Sequence, residues 1–183
     1  PWKEFGWRTL NAVVQSLIFV GQKPNLLNIR RYIEGGVKDL LKRVLVDYYQ
    51  VYWGEDVSGE RLSNLVKRFT DGEAHIKPDL RVTELLSMHE HSRDHFQKMV
   101  SSLIPLLSML TSGTLQSLLS PEPADRDGHE VADIASIIKE QKVLYIGLDS
   151  LSDAIVGSAI GSIMLADMTA VASYRHNDLK QGA

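Results

Sequence analysis

Cysteine is absent from this chain. That excludes disulfides, thiolate metal sites and cysteine nucleophiles, and it suits a reducing compartment. A large charge of either sign is also missing. Lys+Arg 20 against Asp+Glu 23 leaves −3 at pH 7. So even a balance does not mark a general polyanion binder, although a local basic patch stays open. The pattern GxxxxGK followed by Ser or Thr occurs nowhere in the 183 residues. The glycine loop and lysine that cradle nucleotide phosphates are therefore both lacking. No secretory leader is visible, and because the chain opens on Pro1 the natural start is expected to lie upstream of it. Long apolar runs are scarce. Ala154–Ala172 comes nearest to a membrane span, but Asp167 and several Ser and Thr interrupt it. It falls short of the roughly 20 mostly apolar residues that a span requires.

What is present is helical periodicity. At 44% hydrophobic, 183 residues can bury one core, or one core plus part of another. Leu10, Val13, Val14, Leu17 and Ile18 put a helix over Trp7–Val20, stopped by Gly21. Asn25 caps a short helix, Leu26–Ile33, which Gly35-Gly36 breaks. Val37–Tyr52 carries the clearest apolar stripe, from Leu40 and Leu41 to Tyr48 and Tyr52. Arg61–Phe69 is a shorter helix ended by Asp71-Gly72, and a polar loop runs to Pro78. Arg81–Leu119 reads as nearly continuous helix. Pro105 places a kink or break near residues 101–105, and Ser112-Gly113 a second one.

Ser120–Gly128, SPEPADRDG, is the clear linker. The predicted organisation is an all-α domain over 1–119, a linker over 120–128 and a second piece over 129–183. In that piece Asp133 caps a helix, Ile134–Gln141. An apolar strand, Val143–Leu148, and a last helix, about Asp153–Tyr174, follow it. The fold class is mainly α: a helical bundle followed by a short α-β-α piece. A strand apolar on both faces needs neighbours in a sheet, and no other segment reads as its partner. It must pair between chains, lie extended on helices, or stay unordered. Unpaired apolar strands associate, so dimerisation through 143–148 is expected.

Candidate functional residues fall into three groups. Lys38, Lys42 and Arg43 form one basic strip, and Lys67 and Arg68 a second. Either could touch DNA phosphates or a partner protein, and a solvated helix face explains them as well. His89, His91 and His95 form the second group, with Glu90 and Asp94 nearby. His91 and His95, four apart, can share a helix face and attract a metal, but a closed site needs further ligands and a polar face is the simpler reading. Asp149 is the third, directly after the strand, where α/β folds place functional groups. A turn or cap role is favoured for it. The small residues Gly157, Ser158, Ala159, Gly161, Ser162 and Ala166 suit close helix packing better than a nucleotide fingerprint. No constellation of nucleophile, base and orienting group stands out.

The strings PWKEFGW, GQKPNLLNIRRYIEGG and VLYIGLDSLSD…GSAIGSIMLADMTAVAS resemble the TraD-type conjugative coupling proteins of type IV secretion systems. The resemblance spans most of the chain, though none of these strings is a catalytic signature. It implies a ring-forming, hexameric DNA-translocating ATPase anchored in the bacterial inner membrane, with an all-α domain inserted in a RecA-like motor on the cytoplasmic side. Residues 1–119 would be that insert, and 129–183 the chain re-entering the motor. The family's two nucleotide motifs fall outside this chain. ATP and Mg thus belong to the parent, no cofactor to this segment, and no catalytic residue carries over. The implied partners are the relaxase, the relaxosome accessory proteins and the transferred DNA. Two alternatives stand beside this reading: a free-standing helical DNA-binding regulator using the Arg61–Phe69 helix, and a metal-dependent helical enzyme using His89, His91 and His95.

Overall fold

The computed structural model describes residues 2–91, 96–98, 100–121, 133–148 and 153–181, with side chains throughout except at 2–5, 73, 74 and 176–181. Most of the predicted linker, His95 and Asp149 lie outside the described residues. The chain divides into two compact units, 1–120 and 121–183.

The first unit is a helical bundle built around one central helix. Its main helices are α1 (Trp2–Phe19), α2 (Leu26–Gly35), α3 (Lys38–Trp53) and α4 (Leu62–Arg68). After a π-helical turn (Phe69–Glu73) come α5 (Ala74–Ile76), α6 (Leu80–Glu90), α7 (Leu103–Leu110) and α8 (Gly113–Leu119). Helix α3 buries Leu40, Leu41, Val44, Leu45, Tyr48 and Tyr49, a stripe at helical spacing. α1 packs against α2, α3 and α6, and α3 also meets α4 and α6. α2 meets α7. Their contact is fastened by polar bridges: Arg30 donates to Thr111 Oγ1 at 2.9 Å, and Ser108 donates to Glu34 at 3.3 Å.

Local signals explain most boundaries. Asn25 caps α2 by accepting from the Asn28 N–H at 2.7 Å. Gly54 ends α3 in the left-handed conformation (φ 68°), and its N–H closes the last turn on Gln50 and Tyr49. Nothing lies within 4 Å of a Cβ built there. Gly54→Ala therefore carries conformational strain alone. Its expected cost is about 1 kcal/mol, read as a lower denaturation midpoint; no change in midpoint would show that the left-handed turn is not required.

Two expectations for this unit need correction. The polar stretch after Phe69 is not simply loop: the helix widens into the π-helical turn before α5. Arg81–Leu119 is not one interrupted helix either. α6 stops at Glu90, because His91 turns to extended backbone (φ −62°, ψ 138°). The predicted break at 101–105 is observed, since α7 starts at Leu103. Pro105 sits in its first turn, where a missing N–H removes no helical bond.

In the second unit, Asp133 accepts from the Ser136 N–H at 2.9 Å and caps α9 (Ile134–Lys139). Asp153 accepts from the Val156 N–H at 3.0 Å at the start of α10 (Ala154–Gln181). The two helices pack together. The predicted strand Val143–Leu148 is not observed; no strand occurs among the described residues. The α-β-α expectation is thereby corrected to two helices, with residues 143–148 between them forming no strand. The physical reason is that a strand exists only as a hydrogen-bonded ladder, and the described residues supply no partner. Side-chain exposure nevertheless alternates with a strand's period of two: Val143 96%, Leu144 39%, Tyr145 92%, Ile146 41%. Leu148 reaches α10, its Cδ1 lying 3.5 Å from where a Cβ on Gly161 would sit. A Cβ at 161 would meet Leu148 at ordinary van der Waals distance, so this contact does not by itself demand glycine there. The rest of α10 is largely uncovered, with Ile155, Leu165, Met168 and Tyr174 exposed. The expectation that this segment falls short of a span is corrected: its stretch Ala154–Arg175, with mean hydropathy 1.7, is long and apolar enough to cross a membrane by length and composition alone.

Candidate functional site

The predicted basic residues do not form one continuous positive surface. Lys38 opens α3 and is exposed, Lys42 is half-buried, and Arg43 is exposed. The 100° step of an α-helix interleaves Asp39 and Asp47 with them on the outward face. Arg43 is drawn to its own bundle, donating to Tyr32 Oη. Lys67 is exposed on α4. Arg68 is committed to the fold: its guanidinium donates to Glu55 at 2.7 and 3.1 Å and stacks 4.4 Å from the Tyr49 ring centre. The Arg68 hydrogen bond holds the exposed Glu55 carboxyl below its ordinary range. Tyr49 follows Lys38 by eleven residues on α3, or about 16 Å of rise, so the two basic strips sit toward opposite ends of that helix.

The histidines are arranged differently from the sequence expectation. His89 lies in the last turn of α6 and His91 just past its end. His91 therefore no longer continues the helical face of α6, and its expected partner His95 lies outside the described residues. Among the described residues no group of three His, Cys, Asp or Glu is placed to hold a metal ion.

What the fold does bring together is Lys38 with His89 and His91. All three line a cavity of about 210 Å³ between the α2–α3 turn and the end of α6. Its apolar lining comes from Tyr32, Ile33, Val37, Met88 and Phe96, and Gln97 and Glu34 add polar groups. The Gly35-Gly36 turn forms one wall. Gly36 adopts φ 94°, which favours glycine, and its N–H closes α2 on the Tyr32 carbonyl. Glu34 already accepts from Arg30 Nε at 3.0 Å and from Ser108 Oγ at 3.3 Å, so its charge is countered. No side chain caps the start of α3.

Sequence reading singled out Lys38 and the histidines separately, and Gly35-Gly36 only as a helix breaker. No local pattern links positions some fifty residues apart; packing of α6 beside α3 does. The arrangement offers an apolar recess with cationic and imidazole groups at its rim. No family model, curated protein or solved structure matches the chain.

Proposed function

We propose that residues 1–120 form the substrate-recognition domain of a TraD-type conjugative coupling protein, and that 121–183 belong to the RecA-like motor of the same protein. The observation that carries the reading is the contrast between the two units. The first closes its core around α3, with Leu40, Leu41, Val44, Leu45, Tyr48 and Tyr49 at 0% exposure. The second leaves Val143 and Tyr145 above 90% exposed, along with one flank of α10. A surface of that kind calls for further structure to cover it. In a motor domain, neighbouring strands supply that cover and complete the ladder that Val143–Leu148 lacks.

The same exposed helix admits a membrane reading, and one residue weighs against it. Asp167 sits near the middle of the 22-residue apolar stretch. A carboxylate at the bilayer centre costs about 3 kcal/mol on insertion scales. We therefore assign α10 to a protein interior at the cytoplasmic face of the inner membrane, with the anchor elsewhere in the parent. ATP and Mg act in the parent ring and not on these residues. The role left to the first unit is docking of the relaxase, accessory proteins or DNA on its helix faces.

The test is direct capture. The chain is immobilised and offered purified relaxase, accessory protein and single-stranded DNA at low salt. Retention of at least one is the expected result. Retention of none would sink the recognition role. Sequence-specific retention of duplex DNA instead would favour the free-standing regulator.

A further inference from the structure

We infer that the cavity between the α2–α3 turn and the end of α6 receives a peptide of a partner protein that presents an apolar side chain beside a carboxylate, a chain terminus being the simplest case. The inference rests on the recognition reading and names the chemistry of its partner.

Size, lining and charge lead to it together. A volume of about 210 Å³ is below the ~300 Å³ at which small-molecule pockets begin. It is suited to one inserted side chain. Ile33, Val37 and Met88 give that side chain an apolar wall, and apolar burial is worth roughly 25 cal/mol per Å². The rim then selects the neighbouring group. Glu34 is satisfied by Arg30 and Ser108. Lys38 has no ion-pair partner among the described residues and lines the opening with His89. An ammonium at the rim of an apolar recess matches a carboxylate attached to an apolar residue.

Nucleic acid fits the same residues less well. A phosphate backbone needs several cations in a row. Beyond Lys38, the outer face of α3 alternates Lys42 and Arg43 with Asp39 and Asp47. Arg43 is bonded to Tyr32. An apolar recess also has no use for a bare phosphate.

The test uses the whole chain and a minimal probe. Backbone amide spectra are recorded while N-acetyl-Gly-Gly-Leu is added, once as the free acid and once as its amide. The acid should shift the Val37, Lys38 and His89 signals and bind about fivefold more tightly than the amide, the worth of one exposed charge pair. Lys38→Ala should bring the acid down to the amide's affinity, and Lys38→Arg should restore it. Lys38 is exposed, so neither change threatens the fold. Equal binding of acid and amide, no binding, or shifts confined to other surfaces would overturn the proposal. Stronger shifts of the same signals by oligothymidine would overturn it in favour of nucleic acid. The recognition reading is scored separately: capture of relaxase or accessory protein that survives Lys38→Ala keeps that reading and removes the cavity from it.

Discussion

Tyr48→Ala should destabilise the first unit by about 4 kcal/mol, within the range for truncating a large buried aromatic side chain. Tyr48 is at 0% exposure at the centre of α3. Its ring meets Tyr49 edge-on at 5.4 Å and Phe69 at 5.3 Å, and lies 5.0 Å from Tyr52. Removing it opens a void shared by α3 and the π-helical turn, which neighbours fill only in part. Single domains have about 5–15 kcal/mol in total, so this one change takes a large share. Tyr48→Phe is the control. It keeps the ring and loses the bond from Oη to the Lys77 carbonyl, 2.7 Å long. Its expected cost is about 1 kcal/mol. Urea unfolding followed by circular dichroism separates the two. Similar losses for Ala and Phe would mean that the hydrogen bond, and not the packing, holds this region.

Asp79→Ala is the second large effect, at about 3 kcal/mol. Asp79 is 5% exposed. It caps α6 by accepting from the Arg81 N–H at 2.9 Å and the Val82 N–H at 3.3 Å. It also pairs with the Arg81 guanidinium. That guanidinium lies 3.7 Å from the centre of the Phe19 ring and reaches Tyr52 Oη at 3.5 Å. One carboxylate thus ties the start of α6 to α1 and α3. A lost cap costs about 1 kcal/mol. A charge left without its mate in a largely buried site costs up to about 3–5 kcal/mol, less here because Arg81 keeps 27% side-chain exposure.

The same residue makes stability depend on acid. Burial pushes the Asp79 carboxyl upward, but the Arg81 side chain and charge and the Val82 and Arg81 N–H groups outweigh it, and the carboxyl is held below its ordinary value. A group depressed in the folded state stabilises fully above its unfolded value, about 3.9. That contribution is lost as the pH falls through the lower folded value. The wild-type chain should therefore weaken steeply at acid pH, and Asp79→Ala should flatten this limb. An unchanged limb would place the acid sensitivity in other carboxylates.

Much of the helical structure was legible from local rules. The α3 stripe and the caps at Asn25 and Asp133 each depend on residues within one or two turns. The end of α6 at Glu90 was not legible, because His89 and His91 carry no helix-breaking signature. The cavity was legible only in fragments, its walls being contributed by α2, α3, α6 and the residues after His91. The basic strips illustrate the same limit. Side-chain type identified Arg43 and Arg68 as cations, but their engagement with Tyr32 and Glu55 depends on neighbours brought in by folding.

Val143–Leu148 marks the division most clearly. Sequence alone determined that this segment is apolar, wants extended backbone, and sits before a helix of small residues. Its alternating exposure and its contact with Gly161 agree with that. Only the tertiary structure decided that it is not a strand here, because strand pairing depends on a second segment and cannot be encoded in the first. The helices need no such partner: their backbone bonds close within four residues, so one stretch of sequence could announce them.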